Sequence, residues 1–122
     1  MKNYITEFIG TFFLVLTIGL TGDPLAIGVM LMVMVYMGGH ISGAHYNPAV
    51  SIAMIFRGLL SVKEAINYIL SQLAGAFLAA IFVQWVGGAI MEVGPSNTAS
   101  VLQILARKVV YILCYSSITP SV

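Results

Sequence analysis

Residues 38–53 read GGHISGAHYNPAVSIA, and this stretch decides the fold of the chain. It holds both histidines, three glycines and an Asn-Pro pair, yet it carries no charged residue. Strongly apolar segments lie on both sides of it, and the apolar pattern resumes directly after Pro48. A loop in water would spread such residues over a polar surface, so this stretch must have a role inside an apolar environment.

The composition predicts a membrane protein. Hydrophobic residues make up 60% of the 122 residues and charged residues only 7%, whereas roughly a quarter of the residues in soluble domains are charged. So few charges cannot cover the surface of a soluble fold. The net charge of +1 gives no clustered basic surface for nucleic acid. Cys114 is the only cysteine, so no disulfide can form within the chain.

Three segments are long and apolar enough to cross a hydrocarbon core of roughly 30 Å. We predict these spans at residues 4–22, 25–41 and 62–90. Asp23-Pro24 separates the first two, because proline cannot continue the preceding helix. The first span is expected to be a retained helix rather than a signal peptide, since Glu7 lies inside its start and no A-x-A cleavage pattern follows.

A shorter apolar helix is predicted between the second and third spans. Residues 48–57 would form about 15 Å of helix at 1.5 Å per residue, which is half of a membrane. Ser61 is a suitable N-cap for the third span, and Glu64 completes a capping box with it. The predicted fold class is therefore an all-α membrane protein with three transmembrane helices and one re-entrant half-helix.

The last residues do not have the pattern of a fourth span. Residues 101–122 are partly apolar but carry Arg107 and Lys108 in their middle, and two cations near the centre of a span cost several kcal/mol. We therefore divide the chain into a first part, 1–100, and an aberrant or incomplete tail, 101–122. An interfacial amphipathic helix would suit the tail.

The distribution of cations predicts the orientation, since Lys and Arg accumulate on the cytoplasmic side of membrane proteins. Lys2, Arg57 and Lys63 fall on one side if the first two spans cross and the half-helix returns. Asp23 and Glu92 fall on the other side. We therefore expect a cytoplasmic N-terminus.

The Asn-Pro pair gives the half-helix a polar start in the middle of the membrane. Asn47 is a strong N-cap residue, and Pro48 suits the first helical turn because its missing N–H would have no partner there. With its side-chain oxygen on the helix, the Asn47 amide NH2 can donate in the other direction, beside the positive end of the helix dipole. Such a start would hold a water oxygen and repel cations.

The four residues before Asn47 complete this pattern. We expect Gly43, Ala44, His45 and Tyr46 to run extended, with their carbonyl oxygens exposed as a row of acceptors. Irregular backbone at membrane depth survives only where protein or a water-filled cavity satisfies it. A row of acceptors that leads to a donor indicates a pore for a small neutral solute that forms hydrogen bonds.

The segment GHISGAHYNPAV, residues 39–50, closely resembles the first pore loop of the aquaporin (major intrinsic protein) family. EFIGTF, residues 7–12, is similar to the first-helix signature of that family, and Gln72 with Gly75 to its third. The resemblance covers residues 1–100 and implies the first of two inverted repeats in a six-helix fold. Only one Asn-Pro-Ala triplet occurs, so we expect a truncated or frame-altered chain that corresponds to the N-terminal half.

The resemblance also implies roles for individual residues. Ile27 falls at the selectivity constriction, where the family often has an aromatic residue or histidine, and this departure indicates a selectivity that is not strict for water. Glu7 would be a buried acid that braces the pore loop. The remaining assignments are Asn47, Pro48 and Ala49 as the Asn-Pro-Ala motif and Gly43, Ala44, His45 and Tyr46 as pore-lining backbone carbonyls.

The predicted function is a passive channel for water or a small neutral solute in the cell membrane, without a cofactor. Its partners would be the solute and the lipid bilayer, and the resemblance implies a homotetramer. The alternative is a non-conducting membrane fragment that packs or associates with full-length relatives. An enzyme is not expected, because Ser42 does not meet the G-x-S-x-G pattern and no carboxylates pair within the spans. A metal site at His40 and His45 is not expected either, because no Cys or carboxylate lies nearby in the sequence to complete it.

Overall fold

A computed structural model of the chain describes residues 1–90. In this part of the chain the regular structure is entirely helical, with α1 at Lys2–Thr21, α2 at Pro24–Ser42, α3 at Pro48–Phe56 and α4 at Val62–Ile90. The predicted fold class is confirmed. The predicted tail, 101–122, with its interfacial helix, lies outside the described residues.

Three of these helices are long and apolar enough to cross a membrane: α1, α2 and, within α4, Val62–Gly87. The nine residues of α3 form only about 14 Å of helix at 1.5 Å per residue, which is less than half of a core of roughly 30 Å. One end of α3 must therefore lie at membrane depth if its other end reaches the surface.

A tight turn joins the first two membrane helices. Gly22 adopts a left-handed conformation (φ 62°) and donates its N–H to the carbonyl oxygen of Ile18 at 3.1 Å, which ends α1. Asp23 then caps α2, since its Oδ1 accepts a hydrogen bond from the N–H of Leu25 at 3.1 Å. Pro24 occupies the first helical turn, where a missing N–H costs nothing.

Replacing Asp23 by alanine should weaken this turn. The N–H of Leu25 loses its acceptor, and the loss of an N-cap lowers the free energy of unfolding by about 1 kcal/mol. Asp23→Ser is the matched control, because serine keeps a capping oxygen and should lose much less. Unfolding of both variants in mixed detergent micelles, followed by circular dichroism, measures the difference; equal stabilities would contradict the capping role.

The capping box at the start of α4 is confirmed. Ser61 Oγ accepts a hydrogen bond from the N–H of Glu64 at 3.3 Å, and Glu64 Oε2 accepts from the N–H of Ser61 at 3.3 Å. The Ser61 hydroxyl also donates to the same Oε2 at 2.6 Å. Together these bonds fix where the chain turns from α3 into α4.

Helix α1 is central to the described fold, because it packs against both α2 and α4, while α3 packs against α4. A small apolar core lies between α1 and α4, formed by Val15, Ala76 and Ala79 with Phe12 and Leu16 packed against it. The alanines allow the two helices to approach closely, as small residues do in membrane bundles. This close packing places residues of α1 and α4 next to the segment between α2 and α3.

Candidate functional site

The loop between α2 and α3, residues 43–47, has an unusual backbone. Gly43 (φ 86°), Ala44 (φ 52°) and Tyr46 (φ 50°) all have positive φ, whereas Asn47 (φ −152°) is extended. The prediction that Gly43 to Tyr46 run extended is therefore wrong at Gly43, Ala44 and Tyr46. A non-glycine residue in a strained backbone conformation of this kind costs about 1–3 kcal/mol, so the surrounding contacts must hold the loop in place.

The physical reason for this backbone is a buried carboxylate. Glu7 of α1 is fully buried, and its two oxygens accept hydrogen bonds from two successive backbone N–H groups. The N–H of His45 reaches Oε1 at 3.0 Å and the N–H of Tyr46 reaches Oε2 at 2.6 Å. Successive N–H groups converge on one anion only when the backbone leaves the extended form.

Two side chains complete the set of donors around Glu7. The Ser42 hydroxyl donates to Oε1 at 2.6 Å, and the Gln72 amide of α4 donates to Oε2 at 2.8 Å. Hydrogen bonds to a charged group each contribute about 1.5–3 kcal/mol. The carboxylate therefore connects α1, the end of α2, the loop and α4.

Ser51 connects the half-helix to the same cluster. Its side chain is fully buried, and its Oγ lies 3.0 Å from Gln72 Nε2 and 3.1 Å from His45 Nδ1. Ser51 is on α3, Gln72 is on α4 and His45 is in the loop, so one hydroxyl connects three segments. We name Glu7, Ser42, His45, Ser51 and Gln72 the carboxylate cluster.

Tyr46 anchors the loop to the membrane helices. Its hydroxyl donates to the carbonyl oxygen of Met34 in α2 at 2.7 Å, and its own carbonyl accepts from Thr11 Oγ1 of α1 at 3.2 Å. The ring fills the space above Gly10 and Gly38, where any Cβ would collide with it or its hydroxyl. The carbonyl of Tyr46 keeps a second lone pair for a further donor.

The start of the half-helix is capped as the sequence predicts. Asn47 Oδ1 accepts a hydrogen bond from the N–H of Ala49 at 2.9 Å, and Pro48 lies in the first turn. The first N–H groups of a helix and its dipole together give this end a partial positive charge. Asn47 thus lies where an electronegative atom would be attracted.

The structure brings most of the predicted site residues together but leaves one apart. Gly43 and Ala49 are exposed, Ala44, Asn47 and Pro48 are half-buried, and His45 and Tyr46 are buried. Ile27 is half-buried near the start of α2, about 22 Å along the helix axis from Ser42 at 1.5 Å per residue. A solute path that passed both Ile27 and the loop after Ser42 would therefore have to run along much of α2.

Several residues of this site were not assigned a role from the sequence. Ser51 and Tyr68 are examples; the Tyr68 hydroxyl donates to the carbonyl oxygen of Ser42 at 2.8 Å. The signal that could have found them is a polar side chain within an otherwise apolar membrane helix, because such a group needs a partner. Among residues 1–90, no group of three His, Cys, Asp or Glu residues is placed to hold a metal ion.

Comparison with known proteins agrees with this geometry. The family model of the major intrinsic proteins matches residues 1–114. This match extends past residue 100, and the boundary predicted there stays a prediction. Aquaporin NIP1-1 of Arabidopsis thaliana is 39% identical over 66% of this chain and 32% of its own length. The glycerol uptake facilitator protein-like 6 of Lactiplantibacillus plantarum is 41% identical over 69% of this chain and 43% of its own.

A bacterial aquaporin gives a similar result. Aquaporin Z of Photorhabdus laumondii is 39% identical over 66% of this chain and 41% of its own length. The chain thus spans between 32% and 43% of the length of these three relatives. The family model, in contrast, covers nearly the whole chain. The chain belongs to the major intrinsic protein family.

Proposed function

We propose that this chain forms one wall of a passive membrane channel for water or a small neutral solute. The observation that carries the proposal is the nine-residue helix α3. Asn47 caps its first turn, and the carboxylate cluster holds its start in place. Because α3 is too short to span the membrane, its polar N-terminus would lie at membrane depth when its other end reaches the surface. Such an end would line a cavity that contains water or solute, where its polar groups find partners.

The proposed path uses acceptors followed by a donor. The backbone carbonyl oxygens of Gly43, Ala44, His45 and Tyr46 would accept hydrogen bonds from the solute, and the Asn47 amide would donate to it. These contacts replace those that the solute makes in water, as in other selective pores. The positive end of the α3 dipole would repel cations and protons from the same point. No covalent step is part of this function.

The identity of the solute depends on the constriction. The relatives include two aquaporins and a glycerol uptake facilitator-like protein by name, so both water and glycerol are candidate solutes. Ile27, an aliphatic residue, is the proposed constriction residue on α2. Its side chain has no donor or acceptor for a hydrogen bond, so it would not reject a solute with a carbon skeleton. Water and glycerol permeability measured in the same vesicles distinguishes the two.

The proposed setting is the cell membrane with the N-terminus in the cytoplasm. Lys2, Arg57 and Lys63 are exposed at chain positions that fall on one side of the membrane when α1 and α2 cross it, and such residues accumulate on the cytoplasmic side. A homotetramer is the proposed assembly, on the family resemblance alone.

Asn47→Asp tests the donor in this proposal. Aspartate keeps the capping oxygen and the size of the side chain, so α3 should remain folded. It replaces the amide donor by a negative charge, which cancels the positive end of the helix. We expect water permeability to fall about tenfold, because losing one hydrogen bond of about 1.4 kcal/mol in the path corresponds to a factor of ten. Light scattering of vesicles after an osmotic step measures the permeability.

Ile52→Val is the matched control for this variant, because Ile52 lies on the same helix and its side chain is exposed. Its permeability should equal that of the unchanged protein. Unaltered permeability of Asn47→Asp would contradict the donor role of Asn47.

The competing function is a non-conducting membrane fragment that associates with full-length relatives. The chain spans less than half of the length of the relatives that it matches. Among the described helices, α3 packs mainly against α4. Co-purification with a tagged full-length relative, together with vesicles that shrink no faster than protein-free vesicles, would support it and would overturn the channel proposal.

A further inference from the structure

We propose that Ser51 and Gln72 are positioning residues that hold the His45 imidazole as the neutral Nε2–H tautomer. The ring then presents a hydrogen-bond donor beside Gly43, at the start of the row of carbonyl acceptors. This role deepens the proposed channel function and rests on it for its meaning. The tautomer itself follows from the directions of the hydrogen bonds in the carboxylate cluster.

The direction of these bonds is set first at Glu7. Its Oε2 accepts the backbone N–H of Tyr46 at 2.6 Å and lies 2.8 Å from Gln72 Nε2. If the Gln72 amide were turned over, its oxygen would face the carboxylate oxygen, and two acceptors would repel each other. The amide group of Gln72 must therefore point its NH2 at Glu7.

This orientation of the amide leaves one atom of Gln72 without a partner. Gln72 Oε1 is the buried side-chain polar atom that lacks a partner among the described residues. Buried polar atoms are nearly always satisfied, but turning the amide over would leave its NH2 without a partner in the same place and would also set its oxygen against Glu7 Oε2. Both N–H groups of Gln72 are used, one on Glu7 Oε2 and one on Ser51 Oγ at 3.0 Å.

The orientation of the Gln72 amide also determines which atom donates between Ser51 and His45. Since Gln72 donates to Ser51 Oγ, the hydroxyl proton of Ser51 is available for another acceptor. His45 Nδ1 lies 3.1 Å from Ser51 Oγ. An unprotonated Nδ1 accepts this proton and leaves the ring hydrogen on Nε2. A protonated Nδ1 would instead make Ser51 accept twice and leave its own hydroxyl proton without an acceptor among residues 1–90.

The Nε2 end of the imidazole lies beside Gly43. A Cβ built on Gly43 would lie 3.3 Å from His45 Nε2, and Gly43 itself is exposed. The ring of Tyr68 packs against the imidazole with centroids 5.0 Å apart and planes at 46°, which restricts its rotation. The Nε2–H group is therefore held beside Gly43, in the loop that leads to Asn47.

Nitrogen NMR of the chain in lipid bilayers tests the tautomer directly. The chain contains only two histidines, so 15N-labelled histidine gives two imidazole spectra, and His40→Gln removes one of them. We expect His45 to show an unprotonated, imine-type Nδ1 and a protonated Nε2 at neutral pH. A protonated Nδ1, in either a neutral or a cationic ring, would overturn the proposal.

Variants of Ser51 separate positioning from general stability. Ser51→Ala removes the donor to Nδ1, so we expect the single imine-type Nδ1 signal to be replaced by a mixture of tautomers. Ser51→Thr keeps the hydroxyl and should restore the signal. Ser71→Ala is the matched control, because the Ser71 hydroxyl donates to the carbonyl oxygen of Asn67 within α4 and does not touch the cluster. An unchanged His45 spectrum in Ser51→Ala would contradict the positioning role.

The same samples distinguish this inference from the channel proposal. Vesicles that contain the unchanged chain are measured for osmotic shrinkage alongside the NMR spectra. The predicted tautomer without any permeability above protein-free vesicles would overturn the channel and leave the positioning of His45 intact. Permeability with a protonated Nδ1 would support the channel and overturn the inference.

Discussion

Replacing Glu7 by leucine should lower the free energy of unfolding by about 4 kcal/mol or more. Leucine has a similar volume but accepts no hydrogen bond, so the N–H groups of His45 and Tyr46, the Ser42 hydroxyl and the Gln72 amide lose their common acceptor. Each buried donor that is left unpaired costs about 1–3 kcal/mol. The left-handed loop would also lose the contacts that hold its backbone.

Two further variants calibrate this result. Glu7→Gln keeps one acceptor oxygen, so it should lose about half as much stability as Glu7→Leu. Glu64→Gln is the surface control, because Glu64 is exposed and glutamine keeps an oxygen for its capping bonds. Unfolding in mixed detergent micelles, followed by circular dichroism, ranks the three. A Glu7→Leu protein as stable as Glu64→Gln would show that the buried carboxylate does not hold the loop.

Replacing Gly75 by alanine should separate α1 from α4. A Cβ at Gly75 would collide with the carbonyl oxygen of Phe8, and backbone cannot move aside as the end of a side chain can. Overpacking of this kind costs about 1–3 kcal/mol. Gln72 lies one turn before Gly75 on α4, so a shift of this contact also moves its amide away from Glu7. We expect the variant to lose stability and the single His45 tautomer together.

Gly28→Ala is the matched control for Gly75→Ala. A Cβ at Gly28 meets no atom within 4 Å, and alanine is favoured over glycine in a helix by about 1 kcal/mol. This variant should therefore be as stable as the unchanged chain or more so. Thermal unfolding of both proteins in the same detergent makes the comparison. Equal effects at the two positions would contradict the close approach of α1 and α4.

The helices of this chain were predictable from its sequence because their signals are local. Asp23-Pro24 separates α1 from α2, Ser61 and Glu64 form the box that starts α4, and Asn47 caps α3. Each signal needs only residues within four positions along the chain. The apolar composition then requires a membrane and makes the short α3 a re-entrant helix.

The conformation of the loop was not predictable in the same way. Ala44 and Tyr46 have no reason in the local sequence to adopt positive φ, and the extended form is their ordinary preference. The cause is Glu7, which lies 38 and 39 positions before the two N–H groups that it binds. The network from Gln72 through Ser51 to His45 has the same character, since it exists only once α1, α3 and α4 are packed.

The most direct test of the channel proposal is the water permeability of vesicles that contain the 122-residue chain, measured over a range of temperatures. A pore that exchanges hydrogen bonds with water one for one needs little activation, whereas water that crosses lipid must first lose its hydrogen bonds. We predict shrinkage faster than that of protein-free vesicles, with a weaker dependence on temperature. Shrinkage at the rate of protein-free vesicles, with the same dependence on temperature, would contradict the proposal.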